Sequence, residues 1–180
     1  MDKRRYYPFI LSAAVVAVDQ ISKALIVHFI PEGTVGAKLL GDFLWICHVR
    51  NDAVAFSIGD SLPMWMKYIF FIGLPLLLMA LLSVAIISRR FDAELSCAER
   101  WCLAGIVGGG VGNLIDRIFR SMRVVDWIST NNYGWFGMER FPTYNAADAS
   151  VVISIILLLL IALFAGRKTK KESPDAGKES

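Results

Sequence analysis

Four stretches of the chain are apolar for long enough to cross a bilayer, whose hydrocarbon core of about 30 Å takes roughly 20 residues of helix. They run from Pro8 to Ile30, Pro63 to Ser88, Ala98 to Phe119 and Ala146 to Gly166. The polar interruptions are few. The first stretch holds Ser12, Asp19, Gln20, Ser22, Lys23 and His28; the second holds Lys67 near its start; the third holds Arg100, Asn113, Asp116 and Arg117; the fourth holds Asp148, Ser150 and Ser154. Between them lie two long segments, 31–62 and 120–145. In the first of these, Phe43 to Ile58 is rich in aromatic and β-branched residues and predicts one or two short strands with a turn near Asn51-Asp52. The expected fold is an all-α polytopic membrane protein. Residues 1–166 form one four-helix membrane domain with a small β-rich extracytoplasmic region, and 167–180 form a disordered cytoplasmic tail of mostly Lys, Glu, Ser, Pro and Gly.

Composition agrees with the pattern. The 180 residues are 56% hydrophobic and 19% charged, with a mean hydropathy of +0.52, whereas an ordinary soluble domain is roughly 45–50% apolar and about 25% charged. A formal net charge of +3 says little until the cations are located. They cluster at Lys3, Arg4 and Arg5, at Arg89 and Arg90 with Arg100 just beyond, and at Arg167, Lys168, Lys170 and Lys171. Four crossings put these clusters on one side, which the positive-inside rule makes cytoplasmic. Both termini are then cytoplasmic and the two long segments face outward, with Trp45, Trp65, Trp127 and Trp135 in or beside them at headgroup level. Because topology accounts for the basic clusters, nucleic-acid binding is not expected. A basic start before an apolar run is also the shape of a cleavable signal, but no small-x-small site follows, and Asp19 and Lys23 stand where a cleavage region is neutral. The first stretch is therefore expected to remain as a helix.

Cys47, Cys97 and Cys102 are an odd number with no CxxC spacing, and His28 and His48 stand alone, so the cysteines read as structural thiols. With no HExxH either, no metal and no cofactor are expected.

Ionisable groups inside a spanning segment are costly unless paired or hydrated. With alternate helices running outward, Asp19, Lys23, Asn113, Asp116, Arg117 and Asp148, together with Asp126 of the loop, collect in the outer half of the bilayer. Each has a structural explanation. Asp19 and Lys23 are i and i+4 on one helix face and can be an ion pair; Asp116 beside Arg117 can neutralise charge; Asn145 or Asp148 can cap the fourth helix; Asp126 can be a turn residue. The run Gly108 to Asn113, GGGVGN, lets helices approach closely. Two carboxylates without a metal cluster point to a pair sharing one proton, one acting as base on water and the other donating to a carbonyl oxygen, a chemistry that hydrolyses amides. Asp126 and Asp148 suit that pairing best, because their segments leave and enter the bilayer on the same side. A small proton-coupled carrier and a non-catalytic membrane scaffold are the competing readings.

The motifs DQISK at Asp19 to Lys23, NDAVAFS at Asn51 to Ser57, GGGVGNLIDR at Gly108 to Arg117, VVDW at Val124 to Trp127 and FPTYNAAD at Phe141 to Asp148 occur in this order. In sequence and position they resemble the lipoprotein signal peptidases, or signal peptidase II. The resemblance implies a four-helix aspartic endopeptidase of the bacterial cytoplasmic membrane. Such an enzyme removes signal peptides from diacylglyceryl-modified prolipoproteins, cutting before the lipidated cysteine near the outer face. It implies Asp126 and Asp148 as catalytic residues, Asn51, Asn113, Arg117 and Asn145 as substrate-binding or dyad-supporting residues, and Asp19, Lys23 and Asp116 as structural polar groups. Prolipoproteins and membrane lipids are the expected partners, and a monomer is the expected state. The chain departs from the family pattern at Ala53, where glycine is usual, and at Trp127 and Tyr144, where phenylalanine is usual.

Overall fold

The computed structural model describes residues 3–51 and 63–171, and in it all four apolar stretches are helices. These are α1 at Pro8–Phe29, α2 at Met64–Ile87, α3 at Cys97–Phe119 and α4 at Ala146–Lys171. Each contains a span long and apolar enough to cross a membrane. Pro8 opens α1 and Pro63 immediately precedes α2, positions where a missing N–H costs nothing. A capping box opens α3: the Glu99 N–H donates to Ser96 Oγ at 3.3 Å, and the Ser96 N–H donates to Glu99 Oε2 at 2.8 Å. The last helix continues past Gly166, where the hydropathy pattern placed its end. The tail from 172 onward lies outside the described residues.

Inside α2, residues Ile69–Gly73 form a π-turn. Pro75 accounts for it, since proline has no N–H for the carbonyl four residues back and its ring crowds that carbonyl, so the helix widens just before it. The turn carries Phe71, a buried residue, into the bundle.

Three strands form one antiparallel sheet in the order β1 (Val35–Leu39), β2 (Leu44–Asn51), β3 (Val124–Thr130). Only β2 falls where strands were expected. Every residue of β1 is exposed, so this edge strand has no alternation of apolar and polar positions to betray it. The segment VVDWIST, which holds β3, read as loop because an acidic residue sits in its middle. The sheet aligns Leu44 with Thr130, Ile46 with Ile128, Val49 with Asp126 and Asn51 with Val124, with a register shift between Ile46 and Val49. Asn51 is the last residue of β2; Asp52, Ala53 and the rest of the expected turn lie outside the described residues.

The bundle is organised around α3. Half of its span is buried, against 11–22% for the other three, and it packs against α1, α2 and α4. Its small residues permit this. A Cβ on Gly112 would stand 2.7 Å from Asp19 Oδ2 and 3.1 Å from Ala147 Cβ, and one on Gly109 would strike the backbone of Ala147. Met79 and Ile86 of α2 meet Ala104, Val107 and Leu114 of α3 in an apolar cluster. Leu74, Leu77, Ile153 and Leu159 point outward and are more than half exposed, as side chains in contact with lipid are.

At the end of the bundle away from the sheet, the buried Arg100 donates to the carbonyls of Ala85, Ile86 and Phe91, and pairs with Asp92 at 2.9 Å. Arg5, just before α1, also binds Asp92. That hydrogen bond, with the charges of Arg5, Arg100 and Arg89, holds the Asp92 carboxyl below the usual carboxylate range. Three helices are thus tied together at that end, and the last carbonyls of α2 find donors.

Candidate active site

Asp126 lies near the middle of β3 and is buried, 3% exposed. Asp148 lies in the first turn of α4. Backbone pairing brings them together. Trp127 and Ile128 N–H both donate to the Tyr144 carbonyl, at 3.0 and 2.8 Å, and Tyr144 N–H returns to the Ile128 carbonyl at 3.0 Å. The chain entering α4 therefore runs beside β3, which sets Asn145 against Asp126.

Asn145 caps α4 reciprocally with Asp148. Its Oδ1 accepts from the Asp148 N–H at 3.0 Å, and its own N–H donates to Asp148 Oδ2 at 3.1 Å. The same side chain donates through Nδ2 to Asp126 Oδ1 at 2.7 Å. One residue therefore bonds to both carboxyls, and the cap expected at the start of the fourth helix is formed by Asn145 and Asp148 together.

A second amide, Asn113 of α3, donates to Asp148 Oδ1 at 2.7 Å and accepts from Asn145 Nδ2 at 3.1 Å. Asn51, the last residue of β2, donates to Asp126 Oδ2 at 3.3 Å. Behind Asn113 sits Lys23, with Nζ 3.0 Å from Asn113 Oδ1, 2.8 Å from Asp19 Oδ2 and 3.1 Å from Asp116 Oδ2. Asp19, Lys23 and Asp116 are all 0% exposed. Both carboxylates of this inner layer also hold backbone: Asp19 Oδ1 accepts from Ala147 N–H at 3.0 Å, and Asp116 Oδ2 from Val125 N–H at 3.0 Å. Each of these N–H groups adjoins a segment bearing Asp126 or Asp148, so the ion network fixes where β3 and α4 begin.

Asp116 and Arg117 form no salt bridge among the described residues, although the Asp116 charge is felt at Arg117. Consecutive helix residues point to different faces, and the ion-pair partners of Asp116 are Lys23 and Arg120, the latter one turn on at 2.7 Å. Arg117 faces Asp126 and Asp148. Its guanidinium lies 5.0 Å from the Phe71 ring, and it is close enough to Asp126 and Asp148 to feel both charges. Its Nη1 is buried without a hydrogen-bond partner among the described residues.

Burial pushes the Asp126 carboxyl up to about 7, the charge of Asp148 adds to the rise, and the hydrogen bonds from Asn145 and Asn51 with the charge of Lys23 oppose it. Asp126 therefore keeps its proton nearly to neutrality. Among the described residues, no three His, Cys, Asp or Glu side chains are grouped as a metal ion would require. A groove of about 570 Å³ runs along α1 and α4 beneath the sheet, lined by Leu11, Val18, Trp127, Ile153 and Leu157 among others.

All nine polar residues singled out in the sequence thus stand in one neighbourhood. Three contributors escaped notice. Gln20 Nε2 bonds Asp19 Oδ2 at 3.1 Å, the Gly112 carbonyl at 3.0 Å and Asp116 Oδ1 at 3.2 Å; its place beside Asp19 was a usable signal. Arg120 was marked by its i+4 spacing from Asp116. Phe71 carries no signal, being one apolar residue among many until the π-turn aims it.

The profile of the family described as signal peptidase (SPase) II matches residues 11–164. The chain is 42% identical to the lipoprotein signal peptidase of Treponema denticola, over 94% of this chain and 96% of that one. It is 38% identical to the Treponema pallidum lipoprotein signal peptidase, over 97% and 91% of the two chains. A solved bacterial membrane enzyme superposes with a TM-score of 0.72 at 28% identity, covering 97% of this chain and 94% of the other.

Proposed function

The chain belongs to the signal peptidase II family and is a lipoprotein signal peptidase, an aspartic endopeptidase; from that premise we propose that Asp126 and Asp148 are its catalytic dyad. Its kinship makes it a multi-pass bacterial membrane protein, and the carrier and scaffold readings give way. The observation that carries the dyad is Asn145, which holds Asp126 by its side chain and Asp148 by its backbone. Two carboxyls held by one residue cannot both ionise cheaply, which is the condition for one to act as acid and the other as base.

The substrate is a prolipoprotein carrying a diacylglyceryl group on cysteine, cut on the N-terminal side of that cysteine. Arg117, with a buried donor still to satisfy, holds a substrate carbonyl, and Asn51 and Asn113 orient the carboxyls. The apolar groove beneath Trp127 suits an acyl chain. The basic segments around Arg5, Arg89 and Arg100 belong to the end of the bundle remote from the sheet, which supports an orientation with both termini in the cytoplasm and the dyad near the outer face. A monomer of the cytoplasmic membrane is the proposed active unit, a single chain supplying both carboxyls and the amide that holds them.

Cleavage of a diacylglyceryl-modified prolipoprotein by purified protein in detergent tests the reading. Asp126→Asn and Asp148→Asn are each expected to lose activity by at least about 10³-fold while remaining folded, with no effect of a chelator on the parent protein. Full cleavage by either folded variant removes that residue from the reaction.

A further inference from the structure

Lys23 is a cation with no exposure to solvent, and the proposed reaction so far gives it no part. Its ammonium has three donors and no acceptor, and the three go to Asp19 Oδ2, Asp116 Oδ2 and Asn113 Oδ1. The third contact reaches beyond an ion pair. An amide can present oxygen or nitrogen, but only oxygen can face an ammonium, so Asn113 must turn Nδ2 the other way, onto Asp148 Oδ1 at 2.7 Å. Asn145 is fixed in the same manner, because the Asp148 N–H demands its Oδ1 and leaves Nδ2 for Asp126. Neither amide can flip without setting donor against donor.

The carboxyls are consequently served unequally. Asp148 receives a donor on each oxygen, Asn113 Nδ2 at 2.7 Å and the Asn145 N–H at 3.1 Å, in the first turn of a helix where the peptide dipoles favour negative charge. Among the described residues Asp126 receives a short bond only on Oδ1, while Oδ2 has the 3.3 Å contact from Asn51. A proton on Asp126 Oδ2 displaces the weakest donor of the set. Other charges facing the pair are Asp19 and Lys23 from α1 and Arg117 from α3, with Asp116 of α3 set behind them against Lys23.

Resting on the dyad reading, we infer that Lys23 is a positioning residue: by fixing Asn113 it makes Asp148 the ionised partner that takes the proton of water and Asp126 the protonated partner that serves the carbonyl. Water oxygen bonds to the scissile carbon, its proton passes to Asp148, and the Asp126 proton passes to the carbonyl oxygen, giving a neutral gem-diol. On collapse one diol proton returns to Asp126 as the carbonyl re-forms, the C–N bond breaks, and the proton on Asp148 goes to the leaving nitrogen. The dyad ends as it began.

Infrared titration of the full chain in detergent reads which carboxyl holds the proton. The carboxylic-acid C=O band that titrates at about 7 is expected to vanish in Asp126→Asn and to persist with a lower midpoint in Asp148→Asn, where the neighbouring charge is gone. The reverse pattern overturns the assignment. For Lys23, the charge-balanced double variant Asp19→Asn/Lys23→Met leaves Asp116 with Arg120. It is expected to lower kcat roughly 100-fold with KM within about threefold, and to let the acid band survive in the Asp126→Asn background. Asn113→Ser keeps every charge and removes only the amide through which Lys23 acts; it must give the same split, and it decides the matter if the double variant does not fold. Wild-type kcat in a folded double variant or in Asn113→Ser overturns the role of Lys23. Cleavage by either aspartate variant refutes the dyad itself, whereas inactive aspartate variants with unaffected Lys23 and Asn113 variants refute this inference alone.

Discussion

Two ion clusters tie α1 to α3, one near each end of α3, and they are built to opposite specifications. Away from the sheet, Arg5 and Arg100 share Asp92, whose side chain is 47% exposed. Near the sheet, Asp19, Lys23 and Asp116 share their charges at 0% exposure. Asp92, the shared carboxylate of the first cluster, is open to screening by water and salt, and that cluster does the work of a fastener. The buried one is strongly coupled to everything it touches, and it touches the two segments that carry the dyad. Charge that only has to hold helices together can sit at the surface; charge that has to orient other polar groups must be shut away from solvent.

That contrast can be broken. Asp116→Ala strips an acceptor from Lys23, Arg120 and the Val125 N–H at once, and should cost about 3–5 kcal/mol in denaturant unfolding in mixed micelles, with cleavage lost as well. Wild-type stability in that variant would mean the inner network is as dispensable as the outer. A smaller effect of opposite sign is expected at Asp126. Its carboxyl binds a proton more tightly when folded, so its burial costs stability as pH rises through about 7 and nothing below the unfolded value of 3.8. Asp126→Asn should therefore be more stable than the parent at pH 8, by up to about 4 kcal/mol, with the difference gone at pH 4. An Asp126→Asn protein no more stable at pH 8 would show that the site stores no such strain. The smallest effect belongs to Asp92→Asn, which should leave cleavage unchanged and lower thermal stability slightly, with the loss disappearing in high salt. A change in kcat there would abolish the distinction between the clusters.

The helices were legible because bilayer thickness writes itself into sequence as uninterrupted apolar length, and the polar residues stood out against that background. Asp19 and Lys23 could be paired from spacing alone. What stayed hidden depended on contacts distant in sequence. Nothing in VVDWIST says strand until β2 and Tyr144 are laid beside it, and nothing in Asn113 or Asn145 says that each is locked by an obligate donor. Asp116 lies near enough to Arg117 for its charge to be felt there, but its salt bridge on the same helix is to Arg120, the i+4 neighbour that the helix period already favoured. Trp127 departs from the family's usual phenylalanine, and the structure leaves its indole Nε1 buried without a partner among the described residues; no physical account of it emerges.

Successive residues of a strand face opposite ways, so β3 presents Asp126 to Asn145 and Trp127 to the groove. A slip of a single residue in its pairing with β2 would put a valine or an indole where the acid belongs, and carry the carboxyl into oil. The ladder of backbone bonds from Leu44–Thr130 to Asn51–Val124 is therefore a reading frame. The enzyme keeps its chemistry in phase in the way a gene keeps its codons, and a one-residue deletion in this short strand should be as ruinous as a frameshift.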